Sequence, residues 1–279
     1  KKFIAITFLL LITFGMIGCG KNQVLKKENV NETNQEQATE NKETTEEQKE
    51  NTNNNTEEQS QSQIDYINIA PEEVKIPILM YHSISDEDPS NNLLVPPAMF
   101  EEQMAWLEAN NFTAMNMDEA LEAMRTGKVP KRPVVITFDD GYANNYTSAF
   151  PSLKNHKLKA TFFVITDGVD NGYYMSSDNL KEMQEAGMSI ENHTANHLEL
   201  NNLSKTDAYE SIKRAQDYLR NVIGSDGNYL CYPVGKYNDE TIQIEEELGI
   251  KAAVTTQGGF ASINDGLHTL KRVRISPMS

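Results

Sequence analysis

The chain has 279 residues, 41 acidic against 25 basic, for a formal net charge of −16. That balance leaves no basic stripe to neutralise phosphates, which excludes a nucleic-acid partner, and it favours a neutral over a strongly anionic substrate. Only two cysteines are present, so no disulfide framework is available and a folded domain must rest on its apolar core.

The start of the chain is read apart from the rest. Lys1-Lys2 is followed by an apolar run from Phe3 to Ile17 and then by Gly18-Cys19. A basic start, an apolar stretch too short for a comfortable span and a small residue before cysteine resemble the signal and lipobox of bacterial lipoproteins. The resemblance implies a signal over 1–19, lipidation at Cys19, and an extracytoplasmic protein anchored to the cell membrane. A transmembrane anchor with Cys19 incidental is the alternative, and it also places the rest outside the cytoplasm. Residues 20–63 are Asn, Glu, Gln, Thr and Lys with few apolar side chains. Such a segment cannot offset its ordering entropy by burial, so it is read as a disordered tether. Its coil span is roughly 35 Å.

From 64 to 279 the composition is globular and suits one well-cored domain. Ile76–Tyr81 reads as a strand. Pro97–Asn110 reads as a helix, with Phe100, Met104 and Leu107 on one face and Trp106 assigned to the core. Met117–Arg125 is a second helix stopped by Gly127, and Pro133–Phe138 is a buried strand. A short helix over Phe150–His156 precedes a strand over Ala160–Ile165. Ser177–Ala186 is helical, Met188–Ile190 is a short strand, and Thr206–Val222 is the longest helix. Tyr229–Tyr232, Asp239–Leu248 and Lys251–Thr255 read as strand, helix and strand. Strands alternating with helices predict a parallel α/β sheet, and six or seven such units favour a barrel.

Two stretches carry the chemistry. Thr137-Phe138-Asp139-Asp140-Gly141 and His193-Thr194-Ala195-Asn196-His197 both follow apolar strands. Parallel α/β enzymes place their active sites at such strand ends. Two imidazoles at i, i+4 on a helical turn, plus one carboxylate, make a three-ligand divalent metal site with an open position. The adjacent carboxylate is then free to act as a base. Taken alone, Asp-Asp-Gly is also a common turn and the histidine pair could be a solvated one.

The pair resembles the first two motifs of the polysaccharide deacetylases of carbohydrate esterase family 4. The resemblance implies Asp139 as base, Asp140, His193 and His197 as ligands of Zn²⁺ (or Co²⁺, Ni²⁺ or Mn²⁺), and a distorted (β/α)7 barrel. Cys231-Tyr232-Pro233-Val234-Gly235 resembles the third motif, which lends a backbone N–H, here that of Val234, to the oxyanion. The arginine that opens that motif is replaced by Cys231, and Arg272 is the candidate to supply it, against a surface strand-end charge. The late tryptophan and Leu-x-His motifs are absent. Leu79-Met80-Tyr81-His82 instead resembles the branch with permuted motif order, which includes poly-N-acetylglucosamine deacetylases. That implies His82 as catalytic acid, with His268 as its competitor. Cys231 is expected to be a buried thiol and His156 a solvated side chain. Tyr81, Tyr142 and Tyr232 could line a sugar groove.

The resulting expectation is a monomeric, lipid-anchored N-deacetylase releasing acetate from an N-acetylglucosamine-containing surface or wall glycan. The alternatives are an O-acetyl esterase of the xylan type, a non-catalytic glycan-binding lipoprotein, and a metal-uptake lipoprotein. Asp139 speaks against the last, since uptake needs no base.

Overall fold

The computed structural model describes residues 64–278. The expected signal, Cys19 and the tether lie outside the described residues. The chain runs through β1 (Tyr66–Asn68), β2 (Ile78–Tyr81), β3 (Ser83–Ile84), β4 (Leu94–Val95), α1 (Pro97–Ala109), β5 (Thr113–Met115), α2 (Met117–Thr126) and β6 (Lys128–Pro130). It continues through β7 (Pro133–Phe138), α3 (Phe150–Asn155), β8 (Thr161–Val164), α4 (Ser177–Glu185), β9 (Ser189–Asn192) and α5 (Lys205–Tyr218). Last come β10 (Tyr229–Cys231), α6 (Asp239–Leu248), β11 (Ala252–Gly258) and β12 (Leu270–Arg274).

Seven strands close on themselves in the order β2-β7-β8-β9-β10-β11-β12, with β12 pairing back to β2. Every pair in this ring is parallel. The expected (β/α)7 barrel is therefore present. Its distortions have physical sources. β5 pairs with the start of β7, so that edge is shared with β8. The β11–β12 pairing shifts register between Val254 and Gly258, and no α-helix covers that crossover.

Strand periodicity divides the core into layers. Ile78, Val135, Phe163, Tyr229, Cys231, Val254 and Leu270 form one buried cluster inside the barrel. The alternate residues Phe138, Phe162, Val164 and Ile190 pack outward with Phe100, Met104 and Leu107 of α1 and Leu180 and Met183 of α4. Leu230, Tyr232 and Ala253 do the same with Ile212 of α5 and Ile244 of α6. Phe138 and Phe162 stack with centroids 4.6 Å apart.

Local signals account for most boundaries. Asn116 caps α2 in a reciprocal box with Glu119, and Gly127 ends it in the left-handed region at φ 75°. Asn238 and Gly249 do the same for α6. Two predicted helices differ at their ends. α3 is preceded by a π-turn over Asn145–Ala149, and the longest helix widens into a π-turn over Leu219–Ile223 before Gly224.

Three further expectations are corrected. Trp106 is 57 % exposed rather than core, because it stands off the Phe100–Met104–Leu107 face and lies on Phe112. His156 is not a free solvated side chain: its ring nitrogens contact Glu108 at 2.6 Å and Glu101 at 2.8 Å on α1. Tyr81 and Tyr232 are buried, their hydroxyls donating to Gln103 and to the His268 carbonyl, and Tyr81 borders a pocket with Leu79, Trp106 and Phe112 rather than the metal-ligand cluster.

Candidate active site

The alternation that fills the barrel also builds the site at its C-terminal mouth. The inward series Ile78, Met80 is continued by His82, and Val135, Thr137 by Asp139. Glu191 is continued by His193, Tyr229 by Cys231, and Leu270 by Arg272. Residues from five strands thus converge in one layer.

Arg272 is the centre of that layer. It is 1 % exposed, and all five of its N–H donors find acceptors. Nη1 and Nη2 donate to Asp139 Oδ1 and Oδ2, each at 2.7 Å. The other donors reach the Thr255 carbonyl at 2.9 Å, Thr137 Oγ1 at 3.1 Å and Cys231 Sγ at 3.3 Å. Burial alone would raise the Asp139 carboxyl, but the Arg272 guanidinium outweighs it and holds the group well below the usual carboxylate range. Asp139 is therefore ionised although buried. His82 Nε2 stands 3.7 Å from Asp139 Oδ2. Burial lowers the His82 pKa, against an opposing pull from Asp139 and Asp140.

Asp140 points to the other side. Its Oδ1 lies 3.2 Å from His193 Nε2 and 3.4 Å from His197 Nε2. One donor atom from each of the three lies within 4.8 Å of the others. His193 Nδ1 contacts the Cys231 carbonyl at 2.7 Å, which turns Nε2 toward Asp140, as a metal-ligating imidazole requires. Burial opposes charge on His193, but the hydrogen bond at Cys231 and the Asp140 carboxylate outweigh it and hold its pKa well above the ordinary value. A divalent cation seated among these groups would take the place of that proton. Two imidazoles and one carboxylate, with a fourth position left open, fit a catalytic divalent site. A second cluster, Asp139, His193 and Cys231, fits less well. Its carboxylate is already neutralised by Arg272, and burial pushes the Cys231 thiol up, away from the thiolate a metal needs.

The two histidines are not on a helix, which corrects the expected geometry. A loop brings their rings together, with centroids 4.8 Å apart. Asn192 Oδ1 accepts from Thr194 N at 2.7 Å, Thr194 Oγ1 accepts from His197 N at 3.0 Å, and Thr194 and His197 adopt φ of 63° and 56°. Asp140 and Val234 are left-handed as well, so four of the seven described non-glycine residues with positive φ are site residues. Backbone strain of this kind, about 1–3 kcal/mol per residue, persists where the surroundings over-determine it. Val234 is 55 % exposed at the mouth. The next residue, Gly235, has φ 71°, and a Cβ there would stand 2.2 Å from Thr256 Oγ1.

The structure brings Asp139, Asp140, His82, His193, His197 and Arg272 together. It leaves His268 outside the group, tied at 2.6 Å to Glu245 of α6. Cys231 is a buried thiol, as expected. One contributor was not foreseen. Thr137, inside the first motif, bridges Arg272 to the Leu79 carbonyl. The signal for Thr137 lay in its strand parity and its place inside the motif. Tyr142, one of the tyrosines expected at the groove, has its hydroxyl pKa held well above the ordinary tyrosine range by burial and by the Asp140 carboxylate.

A closed parallel barrel with an ionised, arginine-held carboxylate beside a two-histidine, one-carboxylate site is the arrangement of a metal-dependent hydrolase. The family description "Polysaccharide deacetylase" matches residues 126–253. YxkH of Bacillus subtilis, which carries a polysaccharide deacetylase name, is 40 % identical over 204 residues, covering 73 % of this chain and 72 % of that protein. The poly-β-1,6-N-acetyl-D-glucosamine N-deacetylase of Staphylococcus epidermidis is 28 % identical over 225 residues, covering 71 % of this chain and 78 % of that protein. Among solved structures, the Streptococcus pyogenes deacetylase PplD in complex with acetate superposes with a TM-score of 0.71 at 36 % identity, over 73 % of this chain and 93 % of that one. The chain belongs to the polysaccharide deacetylase family.

Proposed function

We propose that this protein removes N-acetyl groups from an N-acetylglucosamine-containing polysaccharide outside the cytoplasm, releasing acetate. The observation that carries the reading is the pairing of two adjacent carboxylates with opposite duties. Asp139 is locked to Arg272, and Asp140 is directed to two imidazoles. The relatives' names, poly-N-acetylglucosamine N-deacetylase and a deacetylase holding acetate, point to the same chemistry.

In this reading Asp140, His193 and His197 hold a divalent cation, Zn²⁺ or a related ion. When bound, such a cation supplies Lewis-acid activation of water and of the acetamide carbonyl. Asp139, kept ionised by Arg272, takes the proton of the attacking water. The 3.7 Å approach of His82 Nε2 lets that proton pass to the imidazole and leave with the amine. The Val234 N–H, at the exposed left-handed turn, donates to the developing oxyanion, a type of contact worth on the order of 3 kcal/mol. Water minus its transferred proton ends in acetate, and the sugar departs as glucosamine.

The proposal also keeps the domain division of 1–19, 20–63 and 64–279, with a lipid anchor at Cys19 and a monomeric catalytic domain. It is supported by the sequence pattern alone. Acetate release separates the readings. Matched oligosaccharides bearing only N-acetyl or only O-acetyl groups are incubated with the zinc-loaded protein. Release from the first set is expected, and release confined to the second would replace this reading by an O-acetyl esterase. Labelling of a Cys19→Ala chain with a radiolabelled fatty acid in cells tests the anchor.

A further inference from the structure

The proton-transfer half of the site hangs on one guanidinium, and groups that the chemistry above does not use set its plane. Arg272 meets Asp139 end-on, through Nη1 and Nη2 at 2.7 Å each. A side-on approach is closed, because the Thr255 carbonyl of β11 takes the Nε hydrogen at 2.9 Å. One outer hydrogen is then left on each Nη. Thr137 Oγ1 of β7 accepts the first at 3.1 Å, and Cys231 Sγ of β10 accepts the second at 3.3 Å. Thr137, Cys231 and Thr255 are all buried.

The two flanking side chains suit this duty. The Thr137 hydroxyl spends its own hydrogen on the Leu79 carbonyl of β2 at 2.7 Å, so its lone pairs are left for the guanidinium. Burial pushes the Cys231 thiol up, so the sulfur is an uncharged acceptor. With neutral groups on both flanks, Asp139 is the one anion paired with Arg272. A carboxylate held by both oxygens cannot turn about its Cβ–Cγ bond. Asp139 Oδ2 therefore keeps its place 3.7 Å from His82 Nε2, beside the two imidazoles that face Asp140.

We infer that Thr137 and Cys231 are positioning residues, two neutral acceptors that fix the plane of Arg272 and, through it, the direction in which Asp139 takes its proton. The inference rests on the deacetylase reading for the proton transfer but not for the contacts on the guanidinium. Removing either acceptor strands a buried N–H, which is costly unless the guanidinium tilts toward another partner. A tilt carries the Asp139 oxygens with it, and a misplacement of about 1 Å at a reacting group costs on the order of 100-fold in rate. The metal half is spared. The Cys231 group that holds His193 Nδ1 is its backbone carbonyl, which survives substitution of the side chain. Zinc content therefore separates the two halves.

The test measures acetate release and zinc content in zinc-loaded Thr137→Val and Cys231→Ala proteins, with Thr137→Ser and Cys231→Ser beside them. Valine keeps the shape of threonine without the acceptor, and serine keeps an acceptor at either position. Thr137→Val and Cys231→Ala are expected to lower kcat about tenfold, with KM within about twofold and about one zinc per chain. The serine variants should stay within about threefold of the unsubstituted protein. In an Arg272→Met background Thr137→Val should cost less than about twofold, since no guanidinium remains to be placed. Unchanged kcat in Thr137→Val and Cys231→Ala overturns the inference, as do serine variants as slow as those two, or a loss that is the same with and without Arg272. Zinc lost in proportion to activity overturns it too, because the defect would then belong to the metal half. Urea unfolding reads the same coupling without catalysis: Thr137→Val should destabilise the Arg272 protein more than the Arg272→Met protein, and equal effects would again overturn the inference. If the unsubstituted protein releases no acetate while this coupling persists, the deacetylase reading fails and the positioning of Arg272 stands.

Discussion

Replacing Arg272 by Met tests how the site keeps a buried base charged. The guanidinium makes two 2.7 Å bonds to Asp139 and three more to Thr137, Thr255 and Cys231, all in the barrel interior. Methionine has similar length and no donors, so Asp139 would be left as an uncompensated buried carboxylate. Breaking a buried pair in this way costs about 3–5 kcal/mol. Asp139 can escape part of that cost by taking a proton, since burial pushes its carboxyl upward once the guanidinium is gone. The sign is then fixed. With Arg272 the folded Asp139 pKa lies below its unfolded value, so the stabilisation is present at neutral pH and is lost only as pH falls through the acidic range. Without Arg272 the folded pKa lies above the unfolded one, so the variant loses stability as pH rises. Urea unfolding of the zinc-loaded variant from pH 5 to 8 measures this directly. Acetate release is expected to fall on the order of 100-fold or more at pH 7, with its acidic limb moved upward. The double variant Arg272→Met/Asp139→Asn should recover most of the stability but none of the activity, because removing both charges leaves no buried ion. An Arg272→Met protein with unchanged stability and an unchanged pH–activity profile would refute this reasoning.

Other consequences are independent of that pair. His156 is held above its ordinary pKa by Glu108 and Glu101, so its contribution is fully present below pH about 6.5 and fades as pH rises through the higher folded value. His156→Gln should lower unfolding stability at pH 6 by at most about 1 kcal/mol, because its partners are half exposed, and change little at pH 9. Phe162→Ala removes a fully buried ring stacked on Phe138 and should cost about 3–5 kcal/mol in denaturant unfolding. Gly235→Ala drives a Cβ into Thr256 at a left-handed position, so differential scanning calorimetry should show a lower Tm and acetate assays a lower kcat.

What was legible in the sequence follows from the range of the interactions involved. Pro133–Phe138 and Asp239–Leu248 are read with the bounds the structure gives them, because an unbroken apolar run and an Asn cap with a closing Gly are local signals. β1, β5 and β6 have only three residues each, and the pairing partner that defines such a strand lies elsewhere in the chain. The π-turns after Asn144 and Tyr218 carry no composition cue. In the site, the two carboxylates and two histidines are visible because each pair is contiguous or nearly so. Their geometry is less so: the histidine spacing matches a helix, yet left-handed Thr194 and His197 achieve the same approach in a loop. The bond between Arg272 and Asp139 spans 133 positions and depends on barrel closure, which no local pattern encodes. The ring contacts among Tyr142, Tyr173 and Tyr174 likewise join two loops that only the parallel strands β7 and β8 bring side by side.

The central claim is that the two neighbouring carboxylates divide metal binding from proton transfer. It is tested most directly by measuring zinc content and acetate release together in Asp139→Asn and His193→Ala proteins. The account predicts that Asp139→Asn retains about one zinc per chain and loses turnover, whereas His193→Ala loses both. Full acetate release by Asp139→Asn, or full zinc content in His193→Ala, would contradict it.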